Sequence, residues 1–143
     1  MSVGRILNSK GKAVVTAQAG QTLHQASQLL AQFRIGAVVV TDANGGVAGI
    51  LSERDIVRAV AQKGAAGLDE TIGDHMTRKV ITCVEAQGIN DVMEIMTAGK
   101  FRHVPVVKDG RLDGMISIGD VVKHRLAELE HESQTLREYI AAS

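Results

Sequence analysis

Apolar positions fall along the chain in two rhythms, one helical and one strand-like, that alternate in a fixed order. Leu23, Ala26, Leu29, Leu30 and Phe33 recur at helical spacing behind Thr22, whose hydroxyl suits an N-cap, and they predict a helix ending near Phe33. The continuous apolar stretch Ala37 to Val40 reads as a buried strand. It is followed by the turn-forming run Asp42-Ala43-Asn44-Gly45-Gly46, a second strand over Val47 to Leu51 and a helix from Ser52. Ahead of them, Val14 to Thr16 reads as a short strand.

The same succession returns in the second half: strand Val80 to Thr82, helix Ile89 to Met96, strand Val104 to Val107, turn Asp109-Gly110, strand Leu112 to Ser117, then a helix. The pattern therefore predicts an α/β (α+β) chain of two β-α-β-β-α units. Residue identities repeat with it. Val14-Val15-Thr16 matches Val80-Ile81-Thr82 at an offset of 66, and Phe33-Arg34 with Val38-Val39 matches Phe101-Arg102 with Val106-Val107 at 68. Gly49-Ile50-Leu51-Ser52-x-x-Asp55 matches Gly114-Met115-Ile116-Ser117-x-x-Asp120 at 65. These offsets imply two residues added near Thr97 to Lys100 and three removed from the turn between Lys108 and Asp113, in loops that absorb such changes. The units are assigned to residues 1–63 and 71–126, joined by a linker at 64–70 around Gly64-Ala65-Ala66-Gly67 and followed by a helical extension at 127–143. A unit of about 60 residues is marginal alone, so the two are expected to pack together.

Composition narrows the functions available. The 143 residues include 16 basic and 16 acidic side chains, so no bulk field draws the chain to nucleic acid or to an anionic membrane. Phe33, Phe101 and Tyr139 are the only aromatics, too few to stack successive bases. Apolar runs such as Gly36 to Val40 are far too short to span a bilayer, and the first residues do not have the pattern of a secretion signal, so a cytoplasmic location is expected. Cys83 is the only cysteine and reads as a small buried apolar residue. Of the five histidines, His124 and His131 share a helix face but lie about 10 Å apart, too far for one metal ion. No nucleophile stands in a recognisable catalytic context and no glycine-rich phosphate loop is present, so a non-catalytic protein is expected.

The repeated Ser-x-x-Asp is where chemistry concentrates. Each copy sits where a strand turns into a helix, and Ser followed three residues later by an acid is close to a capping box. The same geometry serves a nucleotide, since a helix start offers free N–H groups to an anion and a carboxylate accepts hydrogen bonds from a vicinal diol such as ribose. Arg54 inside the first motif suits a phosphate, whereas Gly119 holds the matching place in the second, so the two sites should differ.

The doubled unit, the closing Gly-apolar-apolar-Ser-x-x-Asp, Phe-Arg-His-Val-Pro-Val-Val at 101–107 and Asp74-His75-Met76-Thr77 together resemble a tandem pair of CBS domains, the Bateman module, of the stand-alone bacterial type. The resemblance spans about Val3 to Leu126. It implies a small sheet in each half, pairing of the halves about a pseudo-twofold axis, and two clefts between them for AMP, ADP, ATP or NAD(H). It implies that Asp55 and Asp120 hold ribose hydroxyls, with Ser52 and Ser117 beside ribose or phosphate. Thr16 and Thr82, with the backbone at Ile35, Gly36 and Ala37 and at His103, Val104 and Pro105, would frame adenine. Arg54 and Arg102 would meet phosphate, with Lys10 and Arg34 as secondary partners. Ala37 stands where the second half has Pro105, which sets the two adenine walls apart.

From Val121 to Ala141 the chain continues as helix, and Val122, Leu126, Leu129, Ser133, Leu136 and Ile140 form a heptad seam broken by Ser133. A homodimer contact is expected there, since the resembled family commonly pairs. The expected function is a sensor that passes occupancy by an adenosine ligand to a regulated protein. The alternative is a structural dimerisation module whose Ser-x-x-Asp motifs are only caps.

Overall fold

The computed structural model describes residues 1–142. The first half contains α1 (Val3–Lys10), β1 (Thr16–Ala17), α2 (Leu23–Phe33), β2 (Ala37–Thr41), β3 (Val47–Ser52) and α3 (Glu53–Lys63). A 3₁₀ segment (Gly64–Asp69) leads into α4 (Ile72–His75), α5 (Ile89–Gly99), β4 (His103–Lys108), β5 (Arg111–Ser117) and α6 (Ile118–Ala142). The residues assigned to the linker are therefore folded, and α1 and α4 are helices the apolar pattern did not announce.

Local chemistry accounts for the boundaries. Thr22 and Gln25 form a full capping box, the Gln25 N–H donating to Thr22 Oγ1 (3.1 Å) and the Thr22 N–H to Gln25 Oε1 (2.9 Å). Leu23, Ala26 and Leu30 of α2 are buried, but Phe33, expected on the same face, is 49% exposed at the helix end. Both α2 and α5 close on a left-handed residue, Arg34 (φ 54°) and Lys100 (φ 57°). The second hairpin turns on Asp109 (φ 53°) and Gly110 (φ 75°), the residue types that accept the two positive φ angles of a tight hairpin loop.

Strand β1 runs parallel to β2, and β2 antiparallel to β3. The second half has only the antiparallel pair β4-β5. The strand expected over Val80 to Thr82 does not form. Contact there reduces to one parallel bridge between Cys83 and Val106, with the Cys83 N–H on Pro105 O (3.0 Å), while Ile81 is exposed.

Strand register corrects the internal alignment. Ala37 pairs with Ser52 and His103 with Ser117, so Ala37 corresponds to His103, at an offset of 66. The same offset relates α2 to α5, Arg34 to Lys100, and the Ala17–Val40 pair to the Cys83–Val106 bridge. The offset becomes 65 only after the hairpin turn, where Ser52 matches Ser117. No residues are inserted before β4, and the hairpin loses one residue rather than three. The Phe-Arg and Val-Val matches at 68 were coincidences of composition, and Pro105 corresponds to Val39, not to Ala37.

The two cores are built by exchange. Val3, Ile6 and Leu7 of α1 are buried with Cys83, Val92, Val104, Val106, Ile116 and Val121 of the second half. Ile72 and Met76 are buried with Leu23, Leu30, Val38, Val40 and Leu51 of the first. Matching backbone bonds seat the two helices: Val3 N–H on Gln87 O and Gly4 N–H on Glu85 O, Ile72 N–H on Gln21 O and Gly73 N–H on Ala19 O. Each half thus completes its core with a helix that precedes the other half in sequence. From Val3, matching Ile72, to Ala17, matching Cys83, the first half is three residues longer, and α1 runs on to Lys10.

Candidate functional site

Both Ser-x-x-Asp motifs form capping boxes. Asp55 Oδ2 accepts from the Ser52 N–H (2.9 Å) and hydroxyl (3.2 Å), and Asp120 Oδ2 from the Ser117 N–H (2.9 Å), while Ser117 Oγ accepts from the Asp120 N–H (3.1 Å). Beyond the cap, their surroundings diverge. Among the described residues the Asp55 carboxylate has one ion-pair neighbour, Arg58 on its own helix at 3.6 Å. Asp120 is bound by Lys10, whose Nζ lies 2.6 Å from Oδ2 and also donates to Met115 O at 2.9 Å. Burial pushes the Asp120 carboxyl up, but the hydrogen bonds from Lys10 and Ser117 outweigh it and hold the group below the usual carboxylate range. Lys12 extends the clasp, pairing with Glu85 (2.6 Å) and Asp113 (3.2 Å).

A cavity of about 420 Å³ lies at the first motif, between the halves. The first half gives it Gly36, Ala37, Ile50, Ser52, Glu53, Arg54 and Asp55; the second gives Thr77, Lys79, Val80, Ile81, Gly99, Lys100, Phe101, Arg102 and His103. Its volume suits a nucleoside with its phosphates. Of the sequence-predicted residues it brings together Gly36, Ala37, Ser52, Arg54, Asp55, Arg102 and His103. Thr16, Ile35, Thr82, Val104, Pro105, Ser117, Asp120, Lys10 and Arg34 are not in its wall, and Val104 and Pro105 are buried in the β4 core.

His103 connects the two motifs. Burial lowers its pKa, against the opposing pull of Asp120, so a neutral imidazole faces the cavity at neutral pH. The wall also contains residues the sequence reading passed over: the apolar Ile50, Val80, Ile81 and Phe101, and the cations Lys79 and Lys100. All but Ile50, which precedes Ser52 on β3, come from the half opposite the motif, so a search along the chain from Ser-x-x-Asp does not reach them. Among the described residues no group of histidines, cysteines and carboxylates could hold a metal ion, and no helix is long and apolar enough to cross a membrane.

The CBS domain family model matches twice, over residues 3–62 and 72–127. The chain belongs to the CBS-domain family. This CBS pair is similar to the CBS-domain containing protein ATU1752 from Agrobacterium tumefaciens, 50% identical, with a TM-score of 0.84 over 87% of this chain and 99% of that one. It is similar to the CBS domain protein PAE2072 from Pyrobaculum aerophilum complexed with AMP, 29% identical, TM-score 0.79, over 93% and 99% of the two chains. The CBS domain pair of protein MJ0100, in complex with 5-methylthioadenosine and S-adenosyl-L-methionine, is 29% identical, TM-score 0.80, over 90% and 98%. The tandem CBS reading of the sequence stands on these matches.

Proposed function

We propose that this CBS pair is a non-catalytic sensor of an adenosine-containing ligand, seated in the cavity at the first motif. The observation that carries the proposal is the position of Asp55: a carboxylate in the wall of a nucleoside-sized cavity, beside Ser52 and across from apolar residues of the other half. Asp55 would accept the ribose hydroxyls, and the adenine would lie against Ile50, Val80, Ile81 or Phe101, which offer a flat apolar body without charge. The AMP held by PAE2072 and the methylthioadenosine and S-adenosylmethionine held by the MJ0100 pair support an adenosine moiety as the common feature. The cavity lies between the halves, so occupancy bears on their relative position and through it on a regulated protein. The exposed seam of α6 supports pairing of two copies.

Calorimetry on ligand-stripped protein with AMP, ADP, ATP, NAD and NADH tests this reading. At least one should bind, and Asp55→Asn should weaken it about tenfold to a hundredfold, the worth of a hydrogen bond to a charged acceptor. The Asn side chain still offers an oxygen to the Ser52 N–H, so the ligand-free melting temperature should change little. Unaltered binding by Asp55→Asn with a melting temperature several degrees lower would make the motif a cap only.

A further inference from the structure

We propose that the cavity at the first motif takes an adenosine polyphosphate, and that each chain binds one such ligand because its own Lys10 holds the acid of the second motif. This rests on the adenosine reading above and names the ligand's chemical class. Four cations, Arg54, Lys79, Lys100 and Arg102, line the cavity, and among the described residues none of them is in an ion pair. Against them stand two carboxylates, Glu53 and Asp55, and Asp55 already accepts from Ser52.

The repeat supplies an internal control. In the corrected register the counterparts of Arg54, Lys100 and Arg102 are Gly119, Arg34 and Gly36, so around the second motif the same elements carry one cation where the first site has three, while Lys79 lies in the stretch of unequal length and has no fixed counterpart. The fold therefore does not require the charge, which must be held against mutual repulsion unless an anion fills the space. A monophosphate brings up to two negative charges and a dinucleotide about two, whereas a triphosphate brings about four. S-adenosylmethionine carries net positive charge and would add to the repulsion.

The second motif differs in the opposite sense. Lys10 lies in the stretch where the first half is three residues longer, and among the described residues no cation of the other half is in an ion pair with Asp55, whose partner is Arg58 of its own helix. With its amine on Asp120 Oδ2 and on Met115 O, a ribose needing that carboxylate would have to displace an ammonium ion from two partners.

The test is calorimetry of the ligand-stripped full chain with ATP, ADP, AMP and adenosine. One equivalent should bind per chain, with affinity rising about tenfold for each added phosphate and falling as salt is added. Lys79→Ala combined with Lys100→Ala should cost ATP about a hundredfold and AMP less than threefold; both side chains are exposed, and a thermal melt checks that the variant is folded. Lys10→Met should admit a second equivalent. AMP binding within threefold of ATP, or two equivalents on the parent chain, overturns the proposal while leaving the adenosine reading in place. A Lys10→Met protein that still takes one equivalent overturns the role of Lys10. Failure of all four ligands to bind overturns this proposal, and failure of NAD and NADH as well overturns the adenosine reading.

Discussion

The ion pair between Lys10 and Asp120 gives stability a defined dependence on pH. The folded-state pKa of Asp120 lies below its unfolded value, so the stabilisation is complete above the unfolded titration and is lost as pH falls through the folded one. Both side chains are partly exposed, and such pairs contribute up to about 1 kcal/mol, or about 2–4 °C in a protein of this size. Lys10→Met should therefore melt a few degrees below the parent at pH 7 and together with it in strong acid, as followed by circular dichroism. A gap that persisted below the carboxylate range would mean that Lys10 acts through packing. Cys83 behaves in the contrary way: it is 2% exposed, and burial alone pushes its thiol up to about 11. A thiol reagent at pH 8 should leave it unmodified until the protein is unfolded, and rapid labelling of the native chain would contradict that.

At the scale of elements, the exchanged helices decide which glycines are indispensable. A Cβ on Gly49 of β3 would lie 2.8 Å from the Thr77 backbone oxygen and 2.6 Å from Met76 Sδ; on Gly114 of β5 it would meet the tip of Leu7, 2.8 Å from Cδ2. A backbone oxygen paired to Ile50 cannot step aside, whereas a leucine methyl can rotate. Gly49→Ala should cost about 1–3 kcal/mol and Gly114→Ala clearly less, measured by urea denaturation; equal losses would mean that the Leu7 side of the core is just as rigid. The elements whose reason is local were legible in the chain: α2 from its apolar period and Thr22, the hairpins from Asp42-Ala43-Asn44-Gly45-Gly46 and Asp109-Gly110. Helices α1 and α4 were not, because eight and four residues are too few for a period and their reason is the opposite core. The strand over Val80 to Thr82 failed on the same ground, since its three residues resemble Val14 to Thr16 but only the neighbouring Cys83 finds a partner. The site divides likewise: Ser52, Arg54 and Asp55 stand together in sequence, whereas Lys79, Lys100 and Phe101 reach the cavity only once the halves have paired.

For the whole molecule, the feature without an evident role inside one chain is the far end of α6. The helix runs for 25 residues and its only buried residue is Val121, near the start. Beyond it Leu126 is 60% exposed and Leu136 58%, and Leu129 is also more than half exposed, all on the heptad seam. Leucines held at that exposure by a continuous helix forgo the roughly 1.5–3 kcal/mol each would gain by burial. A second copy supplies the matching seam with no other partner required, which favours a homodimer over a different protein at this face. Ser133 falls in the middle of the seam and should weaken the pair, since a small polar residue there leaves little apolar contact across the interface. Fewer than three heptads make a weak coiled coil on their own, so the association should be sensitive to each seam position. Deleting the residues after Leu126 should halve the mass seen by light scattering, and Ser133→Leu should hold the dimer together at about tenfold or more lower protein concentration. A truncated chain that keeps its dimer mass would move the interface to the CBS halves, and a parent protein that is monomeric at all concentrations would remove the dimer altogether.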